Sequence, residues 1–472
     1  MVPADQGGGL MRADLLAEPI AGLDEALAVV EAFDRTLIGG VLRPQPAQAA
    51  ALTELAAAVA GTPLASPVAE AVEKAAVGAA SEDHLLALAA ARTALLGAVH
   101  DALVTRADEA TGRGRAEQPA VEPGTSEAVN LLAAARAWLA DLARAGWQGI
   151  DHDLVSGAGQ VVFAMLPDPA LRRPATLLDG FAAELAASCP GAALERIPVR
   201  RWADLWSRAM LLTRPGAAGS PATDTVTGRL LPLGVDLHEH ATAVQAQVHA
   251  VFEPADGSTP RLVRASVSVP KPDTVVGVGV WQLLRPHMSL PAAAGDGRSM
   301  QLTDMPITAE GDLIWNEAHA RLGEPVDAFA TARVALPGAG AGAIAPFDRH
   351  PAGIAIPVFL EDYAVHREDG RLAFTLAGHR LAVDTDRIPT AGPLTPEAVA
   401  TSSACIGLLR WDAGAFRIQP LAVETVVKKK TATIHAGAWA GGTADKMGAK
   451  AEQAATEAVR VLRERAGKLL RT

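Results

Sequence analysis

Val244-Gln245-Ala246-Gln247-Val248-His249-Ala250 puts an apolar residue at every second position. In an extended chain that alternation gives one apolar face and one polar face. Arg261 to Val269 alternates in the same way, and Ala255-Asp256-Gly257-Ser258 between the two runs has the chemistry of a hairpin turn. The pattern returns further along. Pro357 to His366 and Arg371 to Leu376 flank Arg367-Glu368-Asp369-Gly370, and Ile406 to Trp411 and Phe416 to Val423 flank Asp412-Ala413-Gly414. Short strands with turns between them predict an antiparallel OB-like barrel or a sandwich rather than a parallel sheet.

N-terminal to this region the period changes. Leu15 to about Ala110 reads as three or four helices, broken at Gly39-Gly40, at Arg43-Pro44-Gln45-Pro46 and at Gly61-Thr62-Pro63. Ser81 followed by Glu82 and Asp83 predicts a capped helix running to Ala110. Ser126 is the expected cap of a further helix, with Leu131, Ala135, Trp138, Leu142 and Ala145 as its apolar stripe and Gly146 as its stop. Helices are also expected over Asp153 to Met165, Ala175 to Ser188 and Val199 to Leu212. The resulting expectation is an α+β multidomain chain: an all-α N-terminal half, an antiparallel β barrel or sandwich in the C-terminal half, and a terminal amphipathic helix. Its boundaries are a helical domain 1–110, a linker 111–125 that we read as exposed, a second helical segment 126–213, a linker 214–224, a β-rich domain 225–436 and a basic C-terminal helix 437–472.

Composition narrows the function classes. With 472 residues there is enough chain to bury a sizeable core. Arg outnumbers Lys while Asn and Tyr are scarce, a bias expected of a GC-rich bacterial genome. Cys189 and Cys405 lie far apart, so there is no disulfide framework and no paired-cysteine metal motif. Met1 to Leu16 lacks the basic-then-apolar order of a secretory signal, and the apolar stretch Leu85 to Val104 is interrupted by Arg92, His100 and Asp101. A cytoplasmic setting is expected. The formal net charge is -11, yet the chain from Val427 onward carries ten Lys or Arg against four Asp or Glu. An acidic body repels nucleic acid, which leaves the basic C-terminus as the place for single-strand binding.

Candidate chemistry is sparse. His238 and His240 in Asp236-Leu237-His238-Glu239-His240 point to one side of an extended segment, as zinc or another divalent metal requires, and they define a metal-dependent hydrolase alternative. A hairpin turning near His238 to His240 would pair His249 near Leu231, roughly 20 Å from His238 and out of reach of a shared ion. Pro337 to Ala343 is rich in glycine but opens no helix, so we read it as a flexible loop rather than a phosphate cradle. Asp348-Arg349-His350 and Glu317-Ala318-His319 hold acid-base groups in predicted loops. Trp202 and Trp206 fall one turn apart, and Arg460, Arg463 and Lys468 lie on the polar face of the last helix. These five residues are the candidate partner-binding positions, beside the plainer readings of core packing and a solvated helix face.

Trp138-Leu139-Ala140-Asp141-Leu142-Ala143-Arg144-Ala145-Gly146-Trp147, with Leu177-Leu178-Asp179, resembles the helical part of SWIM-type zinc-finger proteins of actinobacteria over a minor part of the chain. Their Cys and His zinc motif is absent, so no zinc ligand is carried over. Such proteins tend to be encoded beside AAA+ ATPases and von Willebrand A domain proteins, and the resemblance implies an accessory subunit of such an assembly. Together with the lack of a catalytic signature, it leads to the expectation of a non-enzymatic adaptor or scaffold that binds partner proteins and needs no cofactor.

Overall fold

A computed structural model describes residues 11–117, 129–214, 216–217, 223–427, 430–443 and 446–469. The helical half comprises α1 Ala13–Ala17, α2 Leu23–Gly39, α3 Pro46–Ala58, α4 Ala65–Ala76, α5 Glu82–Thr111, α6 Val129–Ala145, α7 His152–Met165, α8 Arg172–Ala187 and α9 Val199–Leu212. Ser81 caps α5 as expected, its hydroxyl accepting from the His84 backbone while the His84 ring accepts from the Ser81 backbone. Ser126 lies outside the described residues. Both predicted helical segments share one core, running from Phe33 and Leu52 through Trp138 and Phe181 to Met210. Six aromatic side chains lie in that core. Trp147 meets Phe181 and Trp202 edge-on, and Phe33 approaches Trp206.

The β half follows as β1 Thr223–Glu239, β2 Ala243–Pro254, β3 Arg261–Pro270, α10 Val280–Leu284, α11 Leu290–Gly295, β4 Arg298–Thr308, β5 Asp312–Leu313, β6 Ala320–Pro325 and α12 Ala328–Val334. It continues with β7 Ile356–Glu361, β8 Ala364–Glu368, β9 Arg371–Leu376, β10 His379–Val383, α13 Pro396–Ala400, β11 Ser402–Asp412, β12 Ala415–Val427 and β13 Lys430–His435, and then α14 Lys446–Leu469. The first sheet has the order β1-β2-β3-β5-β4-β6, and β4 also pairs with β1. Because β5 contributes only two residues to the wall, the sheet curls on itself without forming a closed barrel. The second sheet has the order β7-β11-β12-β10-β9-β8 with β13 on β12. The pairs are antiparallel apart from β3 with β5 and β10 with β12.

The sheets pack through Leu231, Leu233 and Val251 of the first against Ala404, Ile406 and Ala422 of the second, with Phe329 of α12 wedged at the same seam. Gly234 permits the approach, since a Cβ there would stand 2.8 Å from Leu421 Cβ. Helix α5 joins the halves. Leu85 and Leu88 belong to the helical core, while Val99, Leu103 and Ala107 pack with Phe374, Leu409 and Ile418 of the second sheet. By length and composition α5 is apolar enough to cross a membrane, but 56% of its most apolar window is buried inside the protein.

Two segments differ from expectation. Residues Arg113 to Ala116, read as part of an exposed linker, are docked: Arg113 is buried and donates to Pro357 O, and Arg115 bonds Asp108 and Gly342 O. The glycine loop is likewise pinned, with Gly340 bridging Arg261 and Ala341 bridging Arg115. Gly342 lies so close to the Glu310 backbone that a side chain has no room, which explains the glycine without invoking flexibility.

Gly40 and Gly146, two of the breaks read from sequence, meet backbone to backbone with positive φ of 80° and 72°. Gly146→Ala is expected to lower stability by about 2–3 kcal/mol through strain and overlap with Gly40. Gly61→Ala, where a Cβ meets nothing, is the control, and chemical denaturation of both variants checks the difference.

Candidate functional site

A cleft of about 760 Å³ opens where the helical half meets the two sheets. Its roof is a stripe on α5, Arg92, Leu96, His100 and Val104, spaced four residues apart and therefore on one face. Asp204, Arg208 and Leu211 of α9 extend the roof. The floor is the polar face of the first sheet, with His238 from β1, Gln245, Gln247 and His249 from β2 and Arg264 from β3. The register sets this row: His238 opposes Gln245, and His249 opposes Arg264. The alternation that defined the strand thus built the floor, and its polar side faces the helical half.

The side wall is the loop from Ala341 to Pro357. Three consecutive residues tie it to the helices. Asp348 accepts from Arg208 at 2.6 Å, Arg349 donates to Asp101 at 2.9 Å, and His350 Nε2 lies 3.3 Å from Asp204. His350 Nδ1 accepts from the Ala352 backbone, which leaves Nε2 to carry the proton towards Asp204. Arg92, 1% exposed, bonds Asp34 with both ends of its fork and also reaches Asp204 at 2.6 Å. Asp34 is itself buried, so this pair fixes α5 against α2 and α9 inside the core.

At the inner end Asp236, 1% exposed, accepts from Arg410 at 2.6 Å, from Gln419 at 2.7 Å and pairs with His238 Nε2 at 2.9 Å. Burial alone would raise its pKa, but the His238 hydrogen bond and the Arg410 charge hold the carboxyl well below the usual carboxylate range. The cluster ties β1 to β11 and β12. His249 is 2% exposed and its Nε2 has no hydrogen-bond partner. Burial, aided by Arg264 and Arg410, pulls its pKa down to about 4 against the pull of Asp236 and Asp312, so the ring is neutral at pH 7.

The structure sorts the residues singled out in the sequence. Trp202 and Trp206 are not a partner surface: both are fully buried, with Nε1 donating to Glu184 Oε1 and Leu139 O. Their spacing reports core packing. His249 pairs with Gly234 rather than near Leu231, because the turn falls at residues 240–242 and the register runs unbroken from it to this pair. Four residue steps, about 13 Å, separate it from the level of His238. Both rings therefore line one cleft yet stand too far apart for one ion. His238 is committed to Asp236, and His240 is exposed beside the turn. Among the described residues no three His, Cys, Asp or Glu side chains come together as a metal-holding group. Arg460 is exposed and paired with Glu457 and Glu464 on its own helix, Lys468 is exposed, and the Arg463 side chain lies outside the described residues.

Reasoning from sequence missed Arg92, Asp204, Arg264 and Arg410. Arg92 and His100 carried a signal, since two polar interruptions eight residues apart in an apolar helix share a face. Arg410 and Gln419 carried none. Chemically, His238 backed by Asp236 is an oriented acid-base group, but the Thr93 hydroxyl in the cleft wall is already donated to Ala89 O and no Ser or Cys among the described residues lines the cleft. Comparisons of the chain with family models, curated proteins and solved structures find no match.

Asp236→Leu leaves Arg410 and Gln419 buried without their acceptor and is expected to cost about 3–5 kcal/mol. The double variant Asp236→Leu/Arg410→Met is expected to be more stable than Asp236→Leu alone, as urea denaturation of the set will show. His249 adds a pH dependence. An unfolded imidazole takes up its proton below pH 6.5 and the folded one only near pH 4, so acidification through that window favours unfolding by on the order of 3 kcal/mol. His249→Leu is expected to flatten the fall in stability between those pH values.

Proposed function

We propose that the chain is a non-enzymatic binding protein, a cytoplasmic scaffold that holds a small molecule in the cleft between its helical and β halves. One observation carries this reading: Asp348-Arg349-His350 clamps the cleft wall onto α5 and α9 by two ion pairs and a histidine–carboxylate hydrogen bond while a volume of about 760 Å³ is left within. Clefts of that size at the junction of two structural units are the usual places for small molecules. Exposed or half-exposed pairs contribute little stability each, so the clamp positions the wall more than it holds the fold together. It leaves the wall free to respond to an occupant.

The adaptor role, with a AAA+ ATPase or a von Willebrand A domain protein as partner, rests on the resemblance of the Trp138 to Trp147 helix. Single-strand nucleic-acid binding has less support, because Arg460 is neutralised by glutamates of its own helix. Metal-dependent hydrolysis through His238 and His240 lacks a third donor among the described residues.

Ala352 lines the cleft and is itself exposed, so Ala352→Trp narrows the space without disturbing the core. Native mass spectrometry of the purified full chain is expected to show a non-covalent small-molecule adduct that Ala352→Trp loses while keeping its circular dichroism. Wild type free of any adduct, and with a melting temperature unmoved by a metabolite extract, would sink the proposal.

A further inference from the structure

The cleft wall carries six arginines, Arg92, Arg115, Arg208, Arg264, Arg349 and Arg410, and at first sight this is an anion site. The pairing says otherwise. Each guanidinium already faces a carboxylate, respectively Asp34 with Asp204, Asp108, Asp348, Asp312, Asp101 and Asp236. Glu310 adds a further acidic group to the wall. An incoming phosphate or carboxylate would have to displace carboxylates that are part of the protein, and two of them, Asp34 and Asp236, are buried. Displacing a buried partner costs several kcal/mol. Electrostatics therefore gives an anion no net advantage here.

What remains unmet is one hydrogen bond. Among the described residues lining the cleft, the buried side-chain polar atom without a partner is His249 Nε2. The neutral ring has one donor and one acceptor nitrogen, and which of them carries the proton depends on the tautomer. Between these paired charges the lining is apolar, with Leu96, Val104, Leu205, Leu211, Leu262 and Ile354 among its walls. We infer that the cleft takes an uncharged, mainly apolar molecule bearing one hydrogen-bonding group, a hydroxyl or primary amide, which docks on the His249 ring. This rests on the cleft being a binding site.

Matched probes that share one alkyl chain separate the two claims: octan-1-ol, octanamide, octanoate and octyl phosphate, titrated into the full chain by calorimetry and followed by the imidazole nitrogen resonances. The two neutral probes are expected to bind about tenfold tighter than the two anions, with little dependence on salt, and to shift the His249 resonance. His249→Leu is expected to weaken the neutral probes about tenfold, the value of one hydrogen bond, while raising the melting temperature because an unsatisfied buried group is removed. His249→Gln restores binding. Tighter binding of octanoate or octyl phosphate, with proton uptake, overturns the neutral-ligand assignment and leaves the cleft reading standing. Equal affinity of wild type and His249→Leu for octanamide removes His249 from recognition, and its nitrogen then holds only water. No binding of any probe and no change at His249 overturns this inference and counts against the cleft itself.

Discussion

One helix serves two cores, and the rest of the architecture is arranged around that constraint. The 30 residues of α5 span about 45 Å at the helical rise. Their first half completes the helical bundle and their second half covers the second sheet. A helix that must be apolar on both counts has little room for polar groups. Arg92 is tolerated because Asp34 and Asp204 meet its fork, and His100 because it reaches Asp101. The two polar side chains fall where the helix passes from one core to the other. That is where the cleft opens.

Because the halves meet through α5, the cleft is as rigid as its roof and as mobile as its side wall. The floor is a hydrogen-bonded sheet anchored by Asp236, Arg410 and Gln419. The wall is held by two ion pairs and a histidine hydrogen bond that are partly exposed. A cavity with two fixed sides and one adjustable side suits a protein that registers an occupant.

The strands, the turns and most helices were legible because each is local: alternation at Val244 to Ala250, the turn at Asp412-Ala413-Gly414, the Ser81 cap and the Gly146 stop all act within a few residues. The cleft was half legible. Gln245, Gln247 and His249 declared a polar face, but nothing local says that this face looks at α5 instead of water. Asp348-Arg349-His350 was visible as a cluster of ionisable groups, though its partners Arg208, Asp101 and Asp204 are distant in sequence. The pairing of Asp236 with Arg410 depends on how two sheets stack and has no local signature. The turn at residues 240–242 was misplaced by a residue or two, and in a hairpin that small slip moved the partner of His249 by three positions.

The loop wall has a further consequence. Asp348, Arg349 and His350 are adjacent yet reach three different acceptors or donors on two helices, so the direction of each depends on its ordinal place in the segment. A one-residue insertion or deletion upstream would rotate all three away from their targets together, whereas substitution of any one leaves the others seated. Loop length, more than loop composition, is therefore what natural variation in this protein can least afford to change.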